Sequence, residues 1–489
     1  MAPKPKAVRK GTLKRPASKL SPKSHDARVD VATLSAEKFS LTDFIRATWN
    51  LNGLAPSSTC KRALTVSSCC TGVNSFGYVL KKMVRCLGQQ VKLKDLFGSE
   101  CDKACQAFLL RNNRAPRCLF EDASDVSTCK QAACAVHARM CVVPSSVAGG
   151  EDDLYQSSFV CHWNSIQNPK RFQHDVTQIA QPTWEATRAD IAARRPLYAL
   201  LENVTGLQRD PELAAGGGNG EPALNHCLQQ LREIPGYTVH SCEATAHPLP
   251  ADRNRCLIFL SRSEQHPAEV LCQEFESLQS SVKLNMRRHH LDTCLVAHAS
   301  ATSQQEGGSN PLETTASDDA QDAAAYFQYF SSGLEKAFKK GRLPPGFKVV
   351  PREERPSCKH IALQKKSAWC RAQADVYFFI GQFLAQQEQV EDSRSMVADI
   401  SQSADRGKLC LRGTLPTCTT SSTLYHYRLE RFISAPELFV AHGYPGQTCW
   451  EGLSEGDQRR IVGNLMSSTT LVLALCPFLK ALGALRSSA

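Results

Sequence analysis

Residues 195–207 read RPLYALLENVTGL, and in them an apolar run from Leu197 to Leu201 leads directly into Glu202 and Asn203. An unbroken apolar run of this length is typical of a strand that is buried on both faces, as in a parallel sheet. Polar residues at the carboxyl end of such a strand lie at the edge where α/β proteins bind their ligands. The stretch therefore predicts a fold class and a candidate site together.

The same alternation of apolar strands and helical stretches extends from Lys61 to Arg262. The predicted strands are Leu64–Cys69, Leu93–Ser99, Ser157–Val160, Leu197–Asn203, Tyr237–Glu243 and Cys256–Leu260, with helices at Ala104–Arg111 and Leu224–Arg232. Strands that alternate with helices form a mainly parallel sheet whose ligands sit at the carboxyl ends of the strands. This part of the chain is therefore predicted to be an α/β domain.

The charge of the chain favours an anionic partner. The 489 residues carry a formal net charge of +11, and residues 1–25 contain eight Lys or Arg and no Asp or Glu. A segment of that composition buries too little apolar surface to fold. It is read as an arm for phosphate contacts or nuclear import, which predicts nucleic acid as partner and the nucleus as location. A tail that only increases solubility is the alternative.

The 22 cysteines are predicted to be reduced thiols, because the N-terminus shows no apolar signal core. Two apolar stretches in the C-terminal half predict buried helices. Residues Thr470–Leu485 are interrupted by Pro477 and Lys480 and are short for a membrane span, so no membrane is expected. The other stretch has its apolar residues at helical spacing, namely Val376, Phe379, Ile380, Phe383 and Leu384.

The strand at 197–201 has informative neighbours. An Arg-Pro pair at 195–196 precedes it, and Gly-Leu at 206–207 follows the Glu-Asn-Val tripeptide. In this order the segment resembles the Glu-Asn-Val motif of the DNA cytosine C5-methyltransferase family. The resemblance implies that Glu202 engages N3 and the exocyclic amine of cytosine, and that Asn203 holds the neighbouring nucleophile loop.

That loop is matched upstream, where residues 159–165 read FVCHWNS. They resemble the family's Pro-Cys-Gln-x-x-Ser, with Val160 in place of the proline and His162 in place of the glutamine. By this resemblance Cys161 is the catalytic nucleophile and adds to C6 of a cytosine that has swung out of the helix. The addition raises the electron density on C5, which is otherwise a poor nucleophile.

Two later segments follow in the family's order. Residues 250–255 read PADRNR and resemble Gln-x-Arg-x-Arg, with an alanine in place of the glutamine. The resemblance implies that Arg253 and Arg255 support the flipped base and its anionic intermediate. Residues 431–445 resemble the family's Arg-x-Leu-Thr … Glu … Gly-Tyr-Pro motif.

The residues that resemble the family's cofactor-binding motifs lie after three predicted strands and in one segment near the C-terminus. Gly72 follows the first strand in place of a glycine-rich loop, and Glu100 follows the second and matches an acid that binds ribose hydroxyls. Asp122, after the third strand, matches a residue that meets the adenine amino group. Gly463 and Asn464, expected to open a terminal apolar helix, resemble the last motif. These five residues are implied to bind S-adenosylmethionine.

The fold implied for the whole chain is α/β: a Rossmann-like S-adenosylmethionine-dependent methyltransferase domain with a smaller target-recognition domain. Residues 1–60 are expected to be a basic disordered tail and lead-in, and residues 61–262 the catalytic domain. Residues 263–424 would form the target-recognition region, with a disordered insert near 298–325. Residues 425–489 would return to the catalytic domain, and the protein is expected to be a monomer.

Two alternatives to DNA methylation stay open. RNA is the substrate of one branch of the same family. A nucleic-acid-binding protein that has lost catalysis is the other, favoured by four departures from the motifs at Asn74, Ser75, Val160 and Ala251. Against it, every group that makes or breaks a bond in the reaction has a residue to supply it.

A group of potential metal ligands lies between Asp122 and Cys161. Cys129, Cys134, His137 and Cys141 could together ligate zinc. Their spacing is not that of a standard zinc finger or knuckle, and the chain is rich in cysteine. Packed or exposed thiols without a metal are therefore the preferred interpretation from sequence.

Overall fold

The computed structural model describes residues 39–60, 62–88, 91–144, 152–160, 181–208, 222–295, 316–349, 361–364, 366–390 and 396–488. The strands are β1 Leu54–Pro56, β2 Arg62–Cys69, β3 Val91–Ser99, β4 Leu119–Phe120, β5 Gln131–Cys134, β6 Arg139–Val142, β7 Leu154–Ser157, β8 Tyr198–Val204, β9 Thr238–Ala244, β10 Arg255–Ser261, β11 Val397–Asp399, β12 Leu409–Cys410, β13 Leu424–His426, β14 Arg431–Phe432 and β15 Leu485–Ser487. The helices are α1 Leu41–Leu51, α2 Ser75–Cys86, α3 Lys103–Arg111, α4 Ala123–Thr128, α5 Gln181–Arg194, α6 Ala223–Arg232, α7 Ala268–Asn285, α8 Leu291–Leu295, α9 Ala316–Lys339, α10 Ile361–Gln364, α11 Ala368–Gln387, α12 Ala435–Ala441, α13 Glu455–Gly463 and α14 Ser468–Ala481. The basic arm and Cys161 lie outside the described residues.

The large sheet has the strand order β6-β5-β4-β3-β2-β7-β8-β10-β9. Strands β4, β3, β2, β7 and β8 run parallel, whereas β10 is antiparallel to both β8 and β9. From β2 the chain adds β3 and β4 on one side and later β7 and β8 on the other. Such a divergence, here between β2 and β7, is the switch point at which doubly wound sheets bind ligands. The predicted α/β, Rossmann-like fold class is confirmed.

Helices cover both faces of this sheet, which explains the unbroken apolar run of β8. Leu200 packs with α1, α2, α7 and α14 on one face. Its neighbour Leu201 packs with α5 and α6 on the other face. Successive side chains of a strand point to opposite faces, so a strand between two helical layers has no position for a polar residue until it ends.

Two helices pack on the large sheet although the sequence analysis placed them outside residues 61–262. Helix α1 lies in the expected lead-in, but its buried Phe44 and Ile45 join the core of the large sheet. Helix α7 lies in the expected target-recognition region, yet its Phe275 packs against Phe259 of β10 with ring centroids 5.8 Å apart. The apolar faces of both helices are covered by the sheet and by neighbouring helices, so the body built on the large sheet extends beyond residues 61–262 on both sides.

One predicted strand begins three residues too late. The expected strand at Ser157–Val160 is β7, which runs from Leu154 to Ser157. Its start is fixed by Asp153, whose backbone N–H donates to the Thr65 carbonyl at 3.0 Å and whose Oδ2 accepts from the Thr65 N–H at 2.9 Å. An acidic residue thus anchors this strand to β2, which a reading of apolar runs alone misses.

A second body is formed by the four-stranded sheet β12-β11-β13-β14 with helices α9 and α11. Val376, Phe379 and Ile380 of α11 are buried in its core, so the predicted helix face is confirmed. Strands β13 and β14 extend this body past residue 424, where it was expected to end. The insert predicted to be disordered to residue 325 is wrong for its last ten residues, because α9 begins at Ala316.

The C-terminal apolar helix lies inside the protein. The segment Glu455–Ala481 is long and apolar enough to cross a membrane, but 89% of its most apolar stretch is buried in the fold. Phe478 packs against Tyr198 of β8 and Phe259 of β10, with centroid distances of 5.6 and 5.4 Å. The helix therefore forms the centre of one core layer.

Replacing Phe478 with alanine should destabilise the whole domain. We expect Phe478→Ala to lower the free energy of unfolding by about 3–5 kcal/mol, because a buried ring is lost and a cavity remains. Urea denaturation measures the change. Leu284→Ala is the matched control, since Leu284 of α7 is 85% exposed and its truncation should change stability by less than about 0.5 kcal/mol. Equal effects of the two substitutions would contradict the packing described.

Candidate functional site

The predicted site residues reach one edge of the large sheet for a simple topological reason. Parallel strands have their carboxyl ends at a common edge, and an antiparallel strand has its amino end there. Arg255, the first residue of β10, accordingly pairs with Val204, the last residue of β8. The residues that follow or end strands at this edge are Gly72, Glu100, Asp122, Glu202 and Asn203.

Glu202 and Arg255 form a buried ion pair at this edge. The Nε of Arg255 lies 2.6 Å from Oε1 of Glu202, and the two residues are 7% and 9% exposed. Glu202 is opposite Leu257, and residues two apart in a strand share a face, so Arg255 is the diagonal neighbour of Glu202. The cation fixes where the carboxyl group points and compensates its charge away from water.

Asn203 joins β8 to the segment that leads to the predicted nucleophile. Its buried Nδ2 donates to the carbonyl of Phe159 at 3.1 Å, and its Oδ1 accepts from the N–H of Val204 at 2.8 Å. Phe159 stands two residues before Cys161, which lies outside the described residues. The amide side chain therefore sets where the chain leaves β7 on its way to that cysteine.

Arg253 contacts two backbone carbonyls rather than the open edge. Its Nη1 donates to Cys418 O at 3.2 Å and its Nη2 to Gly463 O at 2.9 Å, while the residue is 3% exposed. These carbonyls come from the loop between β12 and β13 of the small sheet and from the end of α13. Arg253 thus acts as a positioning residue that ties distant segments to β10, which its resemblance to a base-supporting arginine did not indicate.

Gly463 and Asn464 end a helix instead of opening one. Gly463 is the last residue of α13, and Asn464 caps it, with its N–H donating to Arg460 O at 3.2 Å. The terminal helix begins only at Ser468, so the predicted start is wrong. A side chain at position 463 would place Cβ 2.4 Å from the backbone nitrogen of Thr420, and this close approach requires glycine.

Glu100 connects the loop after β2 with the loop after β3. Its Oε2 accepts from the N–H of Gly72 at 2.6 Å, and its Oε1 accepts from the N–H of Asp102 at 2.8 Å. Burial raises the pKa of this carboxyl group from 4.5 to about 7, although both backbone hydrogen bonds oppose the shift. A carboxylate has about four lone-pair sites, so two remain for a ligand.

The departure from glycine at position 74 leaves the loop geometry intact. Asn74 adopts the left-handed conformation, with φ of 51°, which asparagine tolerates better than most residues. Its Oδ1 accepts from Gly77 N–H at 2.9 Å and caps α2, and its Nδ2 donates to Arg114 O at 2.7 Å. The asparagine therefore supplies the backbone conformation of a glycine together with a helix cap.

The remaining acids at this edge act as helix caps. Asp122 follows β4 and its Oδ1 accepts from the N–H of Ser124 at 2.8 Å, at the start of α4. Asp102 caps α3 in the same manner and forms an ion pair with Arg460 at 3.0 Å. The sequence analysis missed Asp102, which the spacing of an acid directly before a helical run would have indicated.

Three of the four residues that the sequence analysis considered as potential metal ligands lie together in the hairpin of β5 and β6. Cys134, His137 and Cys141 lie together, while Cys129 is exposed after α4 and is not in the group. Its place is taken by Cys118, which directly precedes β4. No local sequence pattern indicated Cys118, because a cysteine sixteen residues upstream of Cys134 is brought near it only by strand pairing.

The pKa of Glu100 predicts how its replacement changes the pH dependence of stability. The folded protein binds a proton at Glu100 more tightly than the unfolded chain, because the pKa rises from 4.5 to about 7. The stability contributed by this group is therefore full below the lower pKa and lost as the pH rises through the higher one. We compare the Tm of the wild type with that of Glu100→Gln. The difference, wild type minus variant, should decrease as the pH is raised from about 4 to about 8. The exposed Glu264→Gln serves as control, and a pH-independent difference for Glu100→Gln would contradict the shift.

The fold of this chain is similar to those of solved methyltransferase structures. Entamoeba histolytica methyltransferase EhMeth is 9% identical, with 86% of this chain and 99% of that chain covered and a TM-score of 0.41. Dnmt2 methyltransferase of S. pombe is 13% identical over the same shares, with a TM-score of 0.41. A mutant of DNMT2 from Spodoptera frugiperda is 12% identical, with 85% and 99% covered and a TM-score of 0.40. No family model and no curated protein matches the sequence.

Proposed function

We propose that this protein transfers a methyl group from S-adenosylmethionine to C5 of cytosine in DNA. One observation carries the proposal: Glu202, held by Arg255, and Asn203, bonded to Phe159 just before Cys161, lie at the same edge of a doubly wound sheet. A carboxyl group fixed beside the approach to a cysteine is what activation of a pyrimidine ring requires.

The chemistry follows from the weak nucleophilicity of C5. The thiolate of Cys161 would add to C6, and the electron pair of the C5–C6 double bond would then become available at C5. Glu202 in its protonated form would donate a hydrogen bond to N3 and accept one from the exocyclic amine, which stabilises the negative charge that develops in the ring. After methylation at C5, loss of the C5 proton to a base restores the double bond and expels the thiolate.

The ion pair with Arg255 gives Glu202 one orientation. Because Nε of Arg255 holds Oε1, the other carboxylate oxygen is left as the atom that would face the base. Arg253 would act indirectly, as a positioning residue, because it holds the loop at Cys418 and the end of α13. Asn203 would set the position of the nucleophile segment through its bond to Phe159.

The residues at the edge fit S-adenosylmethionine, which when bound supplies an electrophilic methyl group. Glu100 has a lone pair left on each oxygen for the two ribose hydroxyls. Gly72, with φ of 56°, makes a tight turn that lets a ligand approach the backbone. Asp122 would meet the adenine amino group beside β4. Asn464 borders the same space, because a Cβ on Gly72 would lie 3.9 Å from its carbonyl oxygen.

The choice of DNA as substrate rests on charge and on the second body. A net charge of +11, with eight basic residues in the first 25, favours phosphate contacts. The four-stranded sheet with α9 and α11 would form the target-recognition wall facing the carboxyl edge. Binding of nuclear DNA through the basic arm would contribute affinity without reading sequence.

The nucleophile can be identified by trapping. A DNA duplex containing 5-fluorocytosine keeps its substituent at C5, so the covalent adduct with Cys161 should accumulate when S-adenosylmethionine is present. Peptide mass spectrometry locates the adduct, and Cys161→Ala should form none while binding the cofactor as wild type does. An adduct at another cysteine would contradict the assignment. If an adduct formed on RNA and not on DNA, the substrate would be RNA. If the protein bound the cofactor but formed no adduct at all, it would be a catalytically impaired protein.

The role of Glu202 can be separated from its structural role. We expect methyl transfer in a single-turnover assay to fall at least about a hundredfold in both Glu202→Gln and Glu202→Asp. Glu202→Gln leaves Arg255 buried without its partner and should melt at a lower temperature. Glu202→Asp keeps the charge and should be the more stable of the two. Unchanged rates in folded samples of both variants would show that Glu202 only partners Arg255.

A further inference from the structure

The hairpin of β5 and β6 brings four potential metal ligands together at the far edge of the large sheet. The hairpin follows β4 and α4 in the chain. Phe120 of β4 pairs with Cys134 at the end of β5. Cys118 precedes Leu119, whose carbonyl accepts from the N–H of Ala135 at 2.8 Å. These pairings place a cysteine from before β4 beside the turn of the hairpin.

The hairpin itself supplies the other ligands. Cys134 and Ala132 are two residues apart in β5 and share a face, and Cys141 of β6 is opposite Ala132. Cys134 and Cys141 are therefore diagonal neighbours on one face. His137 lies in the turn between them, which Ala138 closes in the left-handed conformation with φ of 50°.

One atom, Nδ1 of His137, lies close to all three cysteine sulfur atoms. Nδ1 of His137 lies 3.3 Å from the sulfur of Cys134, 3.4 Å from that of Cys141 and 3.8 Å from that of Cys118. All four ligand atoms lie within 4.8 Å of one another. The three cysteines are free thiols without a disulfide.

Hydrogen bonding does not account for this arrangement. An imidazole nitrogen carries one proton or one lone pair, so Nδ1 can pair with one thiol only, and the other contacts in the cluster are weak ones between sulfur atoms. A tetrahedral zinc ion has Zn–S distances of about 2.3 Å and Zn–N distances of about 2.0–2.1 Å, which separate sulfur and nitrogen ligands by about 3.6 Å. The three measured sulfur–nitrogen distances lie on both sides of that value.

We propose that Cys118, Cys134, His137 and Cys141 bind a structural Zn²⁺ ion. Three thiolates and one imidazole form a closed tetrahedral set, which leaves no position for water or substrate. Sulfur-rich tetrahedral sites select zinc over the hard cations. Coordination converts the thiols to thiolates and releases their protons to solvent. Cys129 is not a ligand in this set.

The ion would stabilise a part of the sheet that has few other contacts. Strand β4 contains two residues, and one residue pair joins it to β5. The cluster of buried side chains beneath the hairpin is small, and Met140 and Val142 of β6 are 57% and 67% exposed. A metal shared by the turn, both hairpin strands and the start of β4 would hold these segments together, including the strand that leads to Asp122.

Metal analysis of the full chain tests the proposal. Protein dialysed against metal-free buffer should retain about one zinc per chain by plasma mass spectrometry. Cys118→Ser and Cys134→Ser should each lose most of this zinc. Cys129→Ser is the matched control and should retain it, since it removes the nearest cysteine outside the set. The wild-type Tm should fall when a strong chelator is added, and that of Cys118→Ser should not change.

Two further measurements cover variants that fold poorly. Wild-type protein reconstituted with Co²⁺ should show thiolate-to-metal charge transfer and the intense d–d bands of a tetrahedral site. His137→Cys should preserve a four-ligand site, retain metal and strengthen the charge-transfer band. Wild-type protein that binds neither zinc nor cobalt would overturn the proposal. Loss of zinc in Cys129→Ser with retention in Cys118→Ser would overturn the ligand assignment.

Discussion

The rest of the candidate site depends on the buried ion pair between Glu202 and Arg255. A carboxylate at the end of a strand between two helical layers loses its water, and the arginine at the start of β10 compensates that charge. Removing either partner would leave an unpaired charge, so each residue fixes the other. The antiparallel insertion of β10 between β8 and β9 makes the pair possible, because it brings the amino end of one strand to the carboxyl end of another.

Around this pair, the loops are positioned by side chains that bond to the backbone of a different segment. Asn203 bonds to the carbonyl of Phe159, Arg253 to those of Cys418 and Gly463, and Glu100 to the N–H of Gly72. A bond to backbone fixes where a loop runs without specifying which side chains it carries. Asn74, which departs from the glycine of the motif, adopts the left-handed conformation and caps α2, so it still supplies a backbone conformation typical of glycine.

The candidate site and the cluster of Cys118, Cys134, His137 and Cys141 lie in different parts of the same sheet. The proposed reaction uses the carboxyl edge near β2, β7 and β8, while the proposed zinc ion lies beyond β4 at the margin. The margin has a short strand and a small apolar cluster, so it gains little stability from burial alone. A metal ion is a common way to stabilise such a segment.

The sequence by itself determined the α/β class, most strand positions and the residues at the carboxyl edge, because apolar periodicity and strand ends are local properties. The helix face of Val376, Phe379 and Ile380 was predicted for the same reason. Only the tertiary structure decided that α1 and α7 pack on the large sheet, since an apolar helix face does not say which surface covers it. It alone also brought Cys118, and not Cys129, to Cys134, His137 and Cys141, and placed Arg253 against backbone carbonyls. Those contacts join residues far apart in the chain, and strand pairing and domain packing, which no local pattern encodes, bring them together.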